Sequence, residues 1–435
     1  MNLTQLSIPR MLWQVGVPSM IGIIFQSGMQ LVQMVMALLY DAGASQALSA
    51  TFPIFFSLLA LARGLSSAAT AMMGHIIIQN KSQQISLVVQ LLFFAVLMAL
   101  LWCLLMNFFA EDLLSILHVD QSYWQVDERF LFLMSVGAPC FVLGMVMNGL
   151  LIGAGQSKPY QQALMFGLAF EGGWVYWGLS HGWGMVTIPV GFIVAQSGIC
   201  LWMMWQLRQH FNWELPRGFN GFWFENIRLS WPVFFAYLLV TFELGLVERF
   251  IHVYGGTQVL NGFFLGQRFE VVVFTAIIGL GNALIGMIGQ HHAVSLYDRI
   301  KQIYSKAIQF GLVFVVVCMV FIEWVAVPII QQYPSSEALV TTLDYFTVMV
   351  PALLIYPFLM LSMSAFQGVK KPEVVTMVET VRLTIVRIGV TWGLSELMGL
   401  EGIWLSTPVC NALGAVVLVA LWQRYCCFRC RQMAS

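Results

Sequence analysis

Charge is scarce in this sequence. Only 9% of its 435 residues are Asp, Glu, Lys or Arg, and 59% are hydrophobic, whereas soluble domains carry about 25% charged residues. Twenty basic and twenty acidic side chains cancel, so the composition gives no reason to expect a nucleic-acid partner. These proportions exclude an ordinary soluble domain and predict an integral membrane protein.

Motifs for nucleotide and metal chemistry are also missing. The sequence has no GxxxxGK(S/T), no HExxH and no Cys/His set at metal spacing. Three of the eight cysteines form CCFRC at 426–430, which lacks a fourth nearby zinc ligand. We interpret them as reduced thiols, with lipidation of Cys426 or Cys427 as an alternative. We expect no metal, no cofactor and no enzyme activity, since an enzyme in the membrane would need clustered acids, histidines or cysteines near one face.

Long apolar runs dominate instead. A run of about 20 residues can cross a bilayer as a helix, and these runs are too long for barrel strands. We predict an all-α membrane protein with twelve helices at about 11–40, 46–78, 86–109, 123–153, 159–180, 186–207, 229–254, 258–289, 304–330, 338–367, 373–396 and 401–423. The first run is longer than a signal-peptide core, so we expect it to remain in the mature chain.

Basic residues collect on one side of the predicted bundle. With the N-terminus inside, most of the twenty Lys and Arg residues lie in or beside cytoplasmic segments, and only Arg129 lies near an outer loop. The positive-inside rule predicts this bias. We therefore expect a multi-pass protein of the bacterial inner membrane with both termini in the cytoplasm.

Sequence landmarks recur about 213 residues apart. The pentapeptide GQSKP at 155–159 returns as GVKKP at 368–372, and three further pairs keep nearly the same offset: Pro18 and Pro232, Tyr40 and Tyr254, Pro139 and Pro351. Their common order predicts two copies of a six-helix unit. Because six is even, both copies have one orientation and a pseudo-twofold axis along the membrane normal. We predict a first lobe at 1–207, an interlobe linker at 208–228, a second lobe at 229–424 and a tail at 425–435.

Glycine and proline mark special positions in each copy. In each pentapeptide we expect the glycine to end one helix and the proline to begin the next. Pro18 and Pro232 lie inside the first helix of each half, where proline removes a backbone donor. We predict bends there that suit alternating access, with packing alone as the other explanation.

Glu171 is the main intramembrane charge of the first half. It lies near the middle of predicted helix 5 with no cationic neighbour in that helix. Burial disfavours the charged form of a lone carboxylate, so Glu171 is a candidate proton carrier, and the alternative is a permanently protonated structural acid. We predict that Glu171 shares one hydrated polar pocket with Asn148, Gln26 and Gln33. The alternative is that each of these amides makes a simple interhelical hydrogen bond.

The second half holds more intramembrane charge. Glu248 and Arg249 in predicted helix 7 lie at a depth similar to that of Arg268 and Glu270 in predicted helix 8. We therefore predict ion pairs between these two helices. Glu379 and Arg382, spaced i,i+3, predict a pair on one face of helix 11, while Arg387 and Glu243 have no predicted partner. These charges are open to a structural role and to a role in handling substrate or cation. We expect His291 and His292 in a solvated loop.

The ordered landmarks carry a resemblance. Twelve helices in two parallel halves, the early GVPSMIGIIFQSGMQLVQMVM, the turn NGLLIGAGQSKP and its echo SAFQGVKKP together resemble the MATE family of multidrug and toxic compound extrusion transporters. The FQG before the second turn and the spacing of Glu171 and Tyr176 are more similar to the DinF-type branch than to the NorM-type branch. The resemblance implies a V-shaped pair of lobes that exports cationic or amphipathic compounds in exchange for protons or sodium.

The resemblance also implies a cation site in the first lobe. Carried over from the DinF-type branch, that site falls on Gln33, Asn148 and Glu171, with Tyr176 and Gln26 nearby. Gln33 stands where the family has an aspartate, and an amide cannot titrate. We expect a proton as the coupling ion and not sodium, because a hard cation needs several oxygen ligands and one charged ligand is lost.

The acids of the NorM-type second-lobe site are absent too, since Val240 and Tyr356 stand in their places. Coupling then depends on Glu171 or on the second-lobe acids Glu243, Glu248 and Glu270. The leading hypothesis is a proton-coupled antiporter for multidrug efflux. The runner-up is a flippase or metabolite transporter of the same fold without proton coupling, and a sensor or scaffold would bind no substrate at all. We expect a monomer whose partners are the lipid bilayer and small amphipathic or cationic molecules, since 25 Met, 33 Phe, 15 Trp and 12 Tyr suit broad recognition.

Overall fold

The computed structural model describes residues 2–40, 42–79, 81–116, 124–211, 221–331 and 337–434. Every regular element in these ranges is helical. Nine of the described helical segments are long and apolar enough to cross a membrane, judged by length and composition. Most of the predicted interlobe linker, at 212–220, lies outside the described residues.

Six membrane passes build the first lobe. The first pass is one continuous helix made of α1 (Ile8–Met11), a π turn (Leu12–Gly16) and α2 (Val17–Tyr40). The other helices are α3 (Ala42–Gln79), α4 (Lys81–Phe108), the short α5 (Ala110–Ile116), α6 (Trp124–Gly153), α7 (Lys158–Ser180) and α8 (Thr187–His210). Predicted helices 1 to 6 are confirmed, with ends that shift by a few residues.

Six more passes build the second lobe. They are formed by α9 (Phe222–Ala293); α10 (Tyr297–Phe321), a π turn (Ile322–Ala326) and α11 (Val327–Gln331); α12 (Glu337–Ala352), a 3-10 turn (Leu353–Ile355) and α13 (Tyr356–Gly368); α14 (Pro372–Val381), a π turn (Arg382–Val386) and α15 (Arg387–Met398); and α16 (Leu400–Ala434). The predicted tail at 425–435 is not a separate segment, because α16 continues without a break to Ala434.

The long helix α9 supplies two passes. A straight helix of its 72 residues would be about 108 Å long, far more than the roughly 30 Å of a bilayer core. Gly256 interrupts it with φ 73° and ψ −170°, a conformation open to glycine. Glu225 near its start contacts Lys370, and Gln290 near its end contacts Gly153. Lys370 lies in the turn GVKKP (368–372) and Gly153 lies beside the turn GQSKP (155–159), the two basic turns of the chain. The chain therefore reverses at Gly256, which makes twelve passes in all.

Buried apolar side chains form two clusters, one in each lobe. The first helix of each lobe begins in the cluster of the other lobe. The second cluster includes Leu3, Met11 and Val15 from the beginning of the chain, and the first cluster includes Leu229 from α9. This exchange joins the lobes at the end that carries the basic turns. The domain limits at 207 and 229 stay a prediction.

Matched contacts relate the two lobes as repeats. A Cβ at Gly153 would lie 2.6 Å from the Thr70 carbonyl oxygen, and one at Gly368 would lie 3.0 Å from that of Ile285. Both second-lobe residues stand 215 positions after their counterparts. The next helix turn repeats the match with glycine and serine exchanged: Gly149 against Ser66, and Ser364 against Gly281. The two six-helix bundles are thus related by a pseudo-twofold.

The two basic turns differ from the prediction in register. Gly155 has φ 81° in the first turn, but in the second turn the left-handed residue is Lys370, with φ 59°. Each donates its N–H back to the helix, to Ile152 O at 2.8 Å and to Gln367 O at 3.0 Å. Gly368 is the last residue of α13, so it ends that helix as predicted, although the left-handed conformation falls two residues later, on Lys370. The pentapeptides align at 213 only because the second loop is two residues shorter.

Prolines Pro18 and Pro232 lie inside continuous helices. The π turn before Pro18 is a common way for a helix to accommodate an interruption. Two side chains donate to carbonyls near these prolines: Ser157 Oγ in the first basic turn donates to Val15 O at 2.7 Å, and Thr376 Oγ1 on α14 donates to Pro232 O at 2.7 Å. Bends at these prolines stay a prediction.

Candidate functional site

A buried carboxylate lies in the first lobe. Glu171 on α7 is only 1% exposed, and the side-chain amide of Gln33 on α2 donates to its Oε1. Its other oxygen, Oε2, has no partner among the described residues. No described Lys, Arg or His forms an ion pair with it. Gln33 and Glu171, two of the four residues predicted to share one polar pocket, are therefore in direct contact, and their role in coupling stays a prediction.

Gln26 lies at a different level of the lobe from Glu171. Gln26 Nε2 lies 3.6 Å from the sulfur of Met145, which also accepts from the Tyr160 hydroxyl at 3.0 Å. Gln26 is two helical turns, or about 10 Å, from Gln33 on α2. Among the described residues, no hydrogen bond joins Gln26 or Asn148 to Glu171. The single hydrated pocket predicted for these polar groups stays a prediction.

Three buried side-chain oxygens of the first lobe lack hydrogen-bond donors within the described ranges. Gln26 Oε1, Asn148 Oδ1 and Glu171 Oε2 are buried without a partner in the described residues. A buried acceptor without a donor costs free energy, so native proteins rarely leave one. Tyr176 does not contribute here: it is 52% exposed, and its ring contacts that of Tyr40 with centroids 6.0 Å apart.

The second lobe pairs its deepest charges internally. Arg382 donates to both Glu379 oxygens, at 3.0 and 2.5 Å, and to Asn411 Oδ1 at 2.6 Å. This predicted i,i+3 pair is confirmed. Arg387 and Glu243, which had no predicted partner, pair with each other at 2.9 Å. Sequence spacing could not find that pair, because its members are 144 residues apart.

The ion pairs predicted between the two passes of α9 are absent from the described residues. Glu270 instead accepts from the hydroxyls of Tyr345 and Tyr356. Arg268 is exposed and donates to the sulfur of Met34 in the first lobe at 2.9 Å. Glu248 is half-buried and Arg249 is exposed, and neither forms an ion pair within the described ranges. Similar depth did not bring these residues together, because their side chains leave α9 in different directions.

A small cavity lies between the lobes and was missed from the sequence. Its volume is about 20 Å³, and it is lined by Arg63, Ser66, Ser67 and Met145 from the first lobe and by Val233, Tyr237, Asn282 and Gln367 from the second. Arg63 is 8% exposed, and its guanidinium lies 5.5 Å from the centre of the Tyr237 ring. The signal in the sequence was one arginine in the middle of an apolar run.

Two histidines join the lobes at the basic end. His75 Nε2 lies 3.0 Å from His292 Nδ1, and His292 Nε2 lies 3.1 Å from the Tyr425 hydroxyl. His75 Nδ1 bonds to a carbonyl, Ala71 O, at 2.8 Å. His291 is fully buried and, like His292, lies within α9. The solvated loop expected at these histidines is therefore wrong, because the helix extends past them.

The thiols of CCFRC lie on α16. Cys426 is buried and Cys427 is exposed, and all eight cysteines are free. Cys430 lies 3.6 Å from an Asp298 oxygen. The described residues contain no group of three or more His, Cys, Asp or Glu side chains that could hold a metal ion.

This architecture defines a class, the membrane transporters built from two like-oriented six-helix bundles. The MatE family profile matches residues 18–171 and 232–392, one match in each lobe. The chain therefore belongs to the MatE family.

Individual relatives are distant. A Shewanella oneidensis protein named FAD transporter is 22% identical over 439 residues, which cover 96% of this chain and 95% of that protein. A crystal structure of MATE in the straight conformation is similar with a TM-score of 0.92 at 16% identity, covering 99% of this chain and 98% of that one. A MOP superfamily transporter from Pyrococcus furiosus has a TM-score of 0.91 at 17% identity, covering 98% of each chain. At these identities the solved structures establish the fold alone.

Proposed function

We propose that this transporter is a proton-coupled antiporter that exports small amphipathic or cationic compounds by alternating access. The observation that carries the proposal is Glu171, a buried carboxylate without a cation in the described residues. An acid of this kind is stable in the lobe when protonated and gains hydration when it releases the proton. Proton binding and lobe rearrangement are then linked through one side chain.

The hydrogen bond from Gln33 supports a proton as the coupling ion. An amide donor holds Glu171 Oε1 in place but offers no charge to a cation. The remaining oxygen, Oε2, is the atom at which we propose that the proton is held. Sodium would need several oxygen ligands around one point, whereas the unpartnered oxygen of Gln26 belongs to a residue two helical turns from Gln33.

The contacts between the lobes support alternating access. Backbones approach closely at the basic end, where a Cβ at Gly286 would lie 2.7 Å from the Ile152 carbonyl oxygen. We propose that this end is the closed gate of an outward-facing state, and that export requires it to part. Broad substrate choice would come from the methionine and aromatic side chains of the cleft.

A transport assay with two separate gradients tests the proposal. Purified protein in liposomes is given a pH gradient or a sodium gradient, with a cationic dye and FAD as trial substrates. We expect dye accumulation under the pH gradient, and its loss in Glu171→Gln. Glu401→Gln, which removes an exposed carboxylate on α16, is the matched control. Sodium-driven transport, or full proton-driven transport by Glu171→Gln, would reject the coupling mechanism.

A flippase or metabolite transporter without proton coupling is the second candidate. The glutamine at position 33 favours it, because an amide that cannot titrate then stands where the resemblance implies an acid. The same liposomes distinguish the candidates: substrate that equilibrates at the same rate with and without a gradient supports the flippase.

We further propose that the protein is a monomer of the bacterial inner membrane with both ends of the chain in the cytoplasm. The basic turns support this orientation through the positive-inside rule. Cys427 gives a direct test, since it is exposed near the end of α16. A membrane-impermeant thiol reagent should label inside-out vesicles but not intact cells, and Cys427→Ser should remove that label. Labelling of intact cells would reverse the orientation.

A further inference from the structure

We infer that the cavity between the lobes binds an anionic group of the transported molecule, a phosphate or carboxylate attached to an apolar body, with Arg63 as its charge partner. The inference rests on the proposed transport function and names a substrate class for it. It differs from the cationic class that the sequence resemblance implies.

Arg63 is the first observation. It lies near the middle of the 38-residue α3, within a membrane pass, and it is more than nine-tenths buried. An ionised side chain at this depth is costly unless it has a partner, water or a ligand. The chain supplies carboxylates for its other two buried arginines, Arg382 and Arg387. In the described residues Arg63 forms no ion pair with a carboxylate, and its guanidinium lies over the face of the Tyr237 ring.

The lining of the cavity is the second observation. None of its eight residues is an Asp or Glu. Gln367 accepts from Ser67 Oγ at 2.7 Å through its Oε1, which leaves its amide N–H groups as donors. The side chains of Asn282 and Tyr237 make no hydrogen bond within the described residues. Residues with guanidinium, amide and hydroxyl donors therefore line one cavity, and these are the donors from which a carboxylate or phosphate accepts.

The cavity also has the right position for substrate. Its donors come from both lobes, so an anion bound there contacts both halves at once. Its volume of about 20 Å³ is room for roughly one water-sized group, enough for the oxygens of a headgroup but not for a whole amphiphile. Met145 lines the cavity, and its sulfur contacts Gln26 in the first lobe. Apolar side chains beyond Met145 can contact the apolar body of the bound ligand.

The test compares two ligands that differ by one phosphate. Flavin mononucleotide and riboflavin share a fluorescent ring, so binding to the purified protein can be measured from fluorescence with either. We expect wild type to bind the phosphorylated ligand about tenfold or more tightly than riboflavin, the range for hydrogen bonds to a charged group. Arg63→Gln should reduce that ratio to below about twofold, and Arg63→Lys should retain part of it. Arg129→Gln, an exposed arginine far from the cavity, should keep the full ratio.

A second variant keeps the test valid if Arg63→Gln fails to fold. Asn282 makes no hydrogen bond in the described residues, so Asn282→Asp breaks none and adds a carboxylate facing Arg63. We expect it to weaken binding of the phosphorylated flavin about tenfold and to leave riboflavin binding unchanged. A lipid headgroup is distinguished by nanodiscs of phosphatidylglycerol or phosphatidylcholine: competition with the flavin by the anionic lipid alone, lost in Arg63→Gln, assigns the site to lipid.

Two results would overturn the inference. One is equal binding of both flavins by wild type with no effect of the anionic lipid, since the cation over Tyr237 would then serve packing alone. The other is an unchanged ratio in Arg63→Gln and Asn282→Asp. Either result leaves proton-driven dye export intact, whereas absence of any gradient-driven transport by wild type counts against the proposed function and not against this binding site.

Discussion

The two lobes share packing positions but treat buried charge in opposite ways. In the second lobe Arg382 and Arg387 each contact a carboxylate, and Glu270 accepts from two tyrosines. In the first lobe Glu171 and Arg63 are buried without a charge of opposite sign in the described residues. Charges that neutralise one another stabilise one conformation, whereas an unpaired buried charge is free to bind an ion or a ligand. The comparison therefore supports the proposals that place proton coupling at Glu171 and ligand binding at Arg63.

The largest expected effect comes from neutralising the buried acid of each lobe in turn. Glu171→Gln should reduce proton-driven accumulation to background, because an amide cannot release a proton. Glu270→Gln should retain gradient-driven accumulation, since the tyrosines already satisfy that carboxylate. Both variants are measured in liposomes under one imposed pH gradient. The opposite ranking would move the coupling site into the second lobe.

Protein stability should respond differently when a paired and an unpaired buried charge are removed. Glu379→Gln leaves Arg382 buried without a carboxylate and should lower the free energy of unfolding by about 3–5 kcal/mol. Arg63→Gln removes a lone buried cation and should not lower it. Denaturation in mixed detergent micelles measures both, with the exposed Glu373→Gln as control. A large loss for Arg63→Gln would identify a structural partner for that arginine.

Matched glycines test how far the repeat extends. A Cβ at Gly153 would come within 2.6 Å of Thr70 O, against 3.0 Å for Gly368 and Ile285 O. Gly153→Ala should therefore cost about 1–3 kcal/mol of stability, and Gly368→Ala should cost less. Denaturation of the two variants side by side checks the order. Equal losses would mean that the first lobe's helices separate as easily as those of the second.

The smallest expected effect concerns the turns. Gly155→Ala places a side chain at φ 81° and should cost about 1 kcal/mol. Lys370→Gly relieves the same strain but loses the half-exposed ion pair with Glu225, a contribution of about 0–1 kcal/mol, so its net change should be near zero. The unfolding free energies of both variants test this difference. A loss of several kcal/mol for Lys370→Gly would mean that the ion pair is far stronger than its exposure implies.

The sequence predicted what local pattern controls. Apolar runs located the twelve passes, and the i,i+3 spacing located Glu379 with Arg382. It did not predict the 215-residue register, because the loops at Gly155 and Lys370 differ in length. The pairing of Arg387 with Glu243 and the cavity at Arg63 depend on contacts between distant passes, which no spacing along the chain encodes.

Lys370 has one more consequence. An L-residue in the left-handed region costs roughly 1–2 kcal/mol, yet the side chain at this position reaches Glu225 at 2.7 Å, near the start of α9. Glycine at the matching position in the other half has nothing to reach with. Both loops are nevertheless tied to a neighbouring helix, but by different contacts: the second by a partly exposed ion pair, the first by the hydrogen bond from the buried Ser157 hydroxyl to Val15 O. Salt screens the ion pair and not the buried hydrogen bond, so high ionic strength should loosen the loop at Lys370 and leave the loop at Gly155 in place.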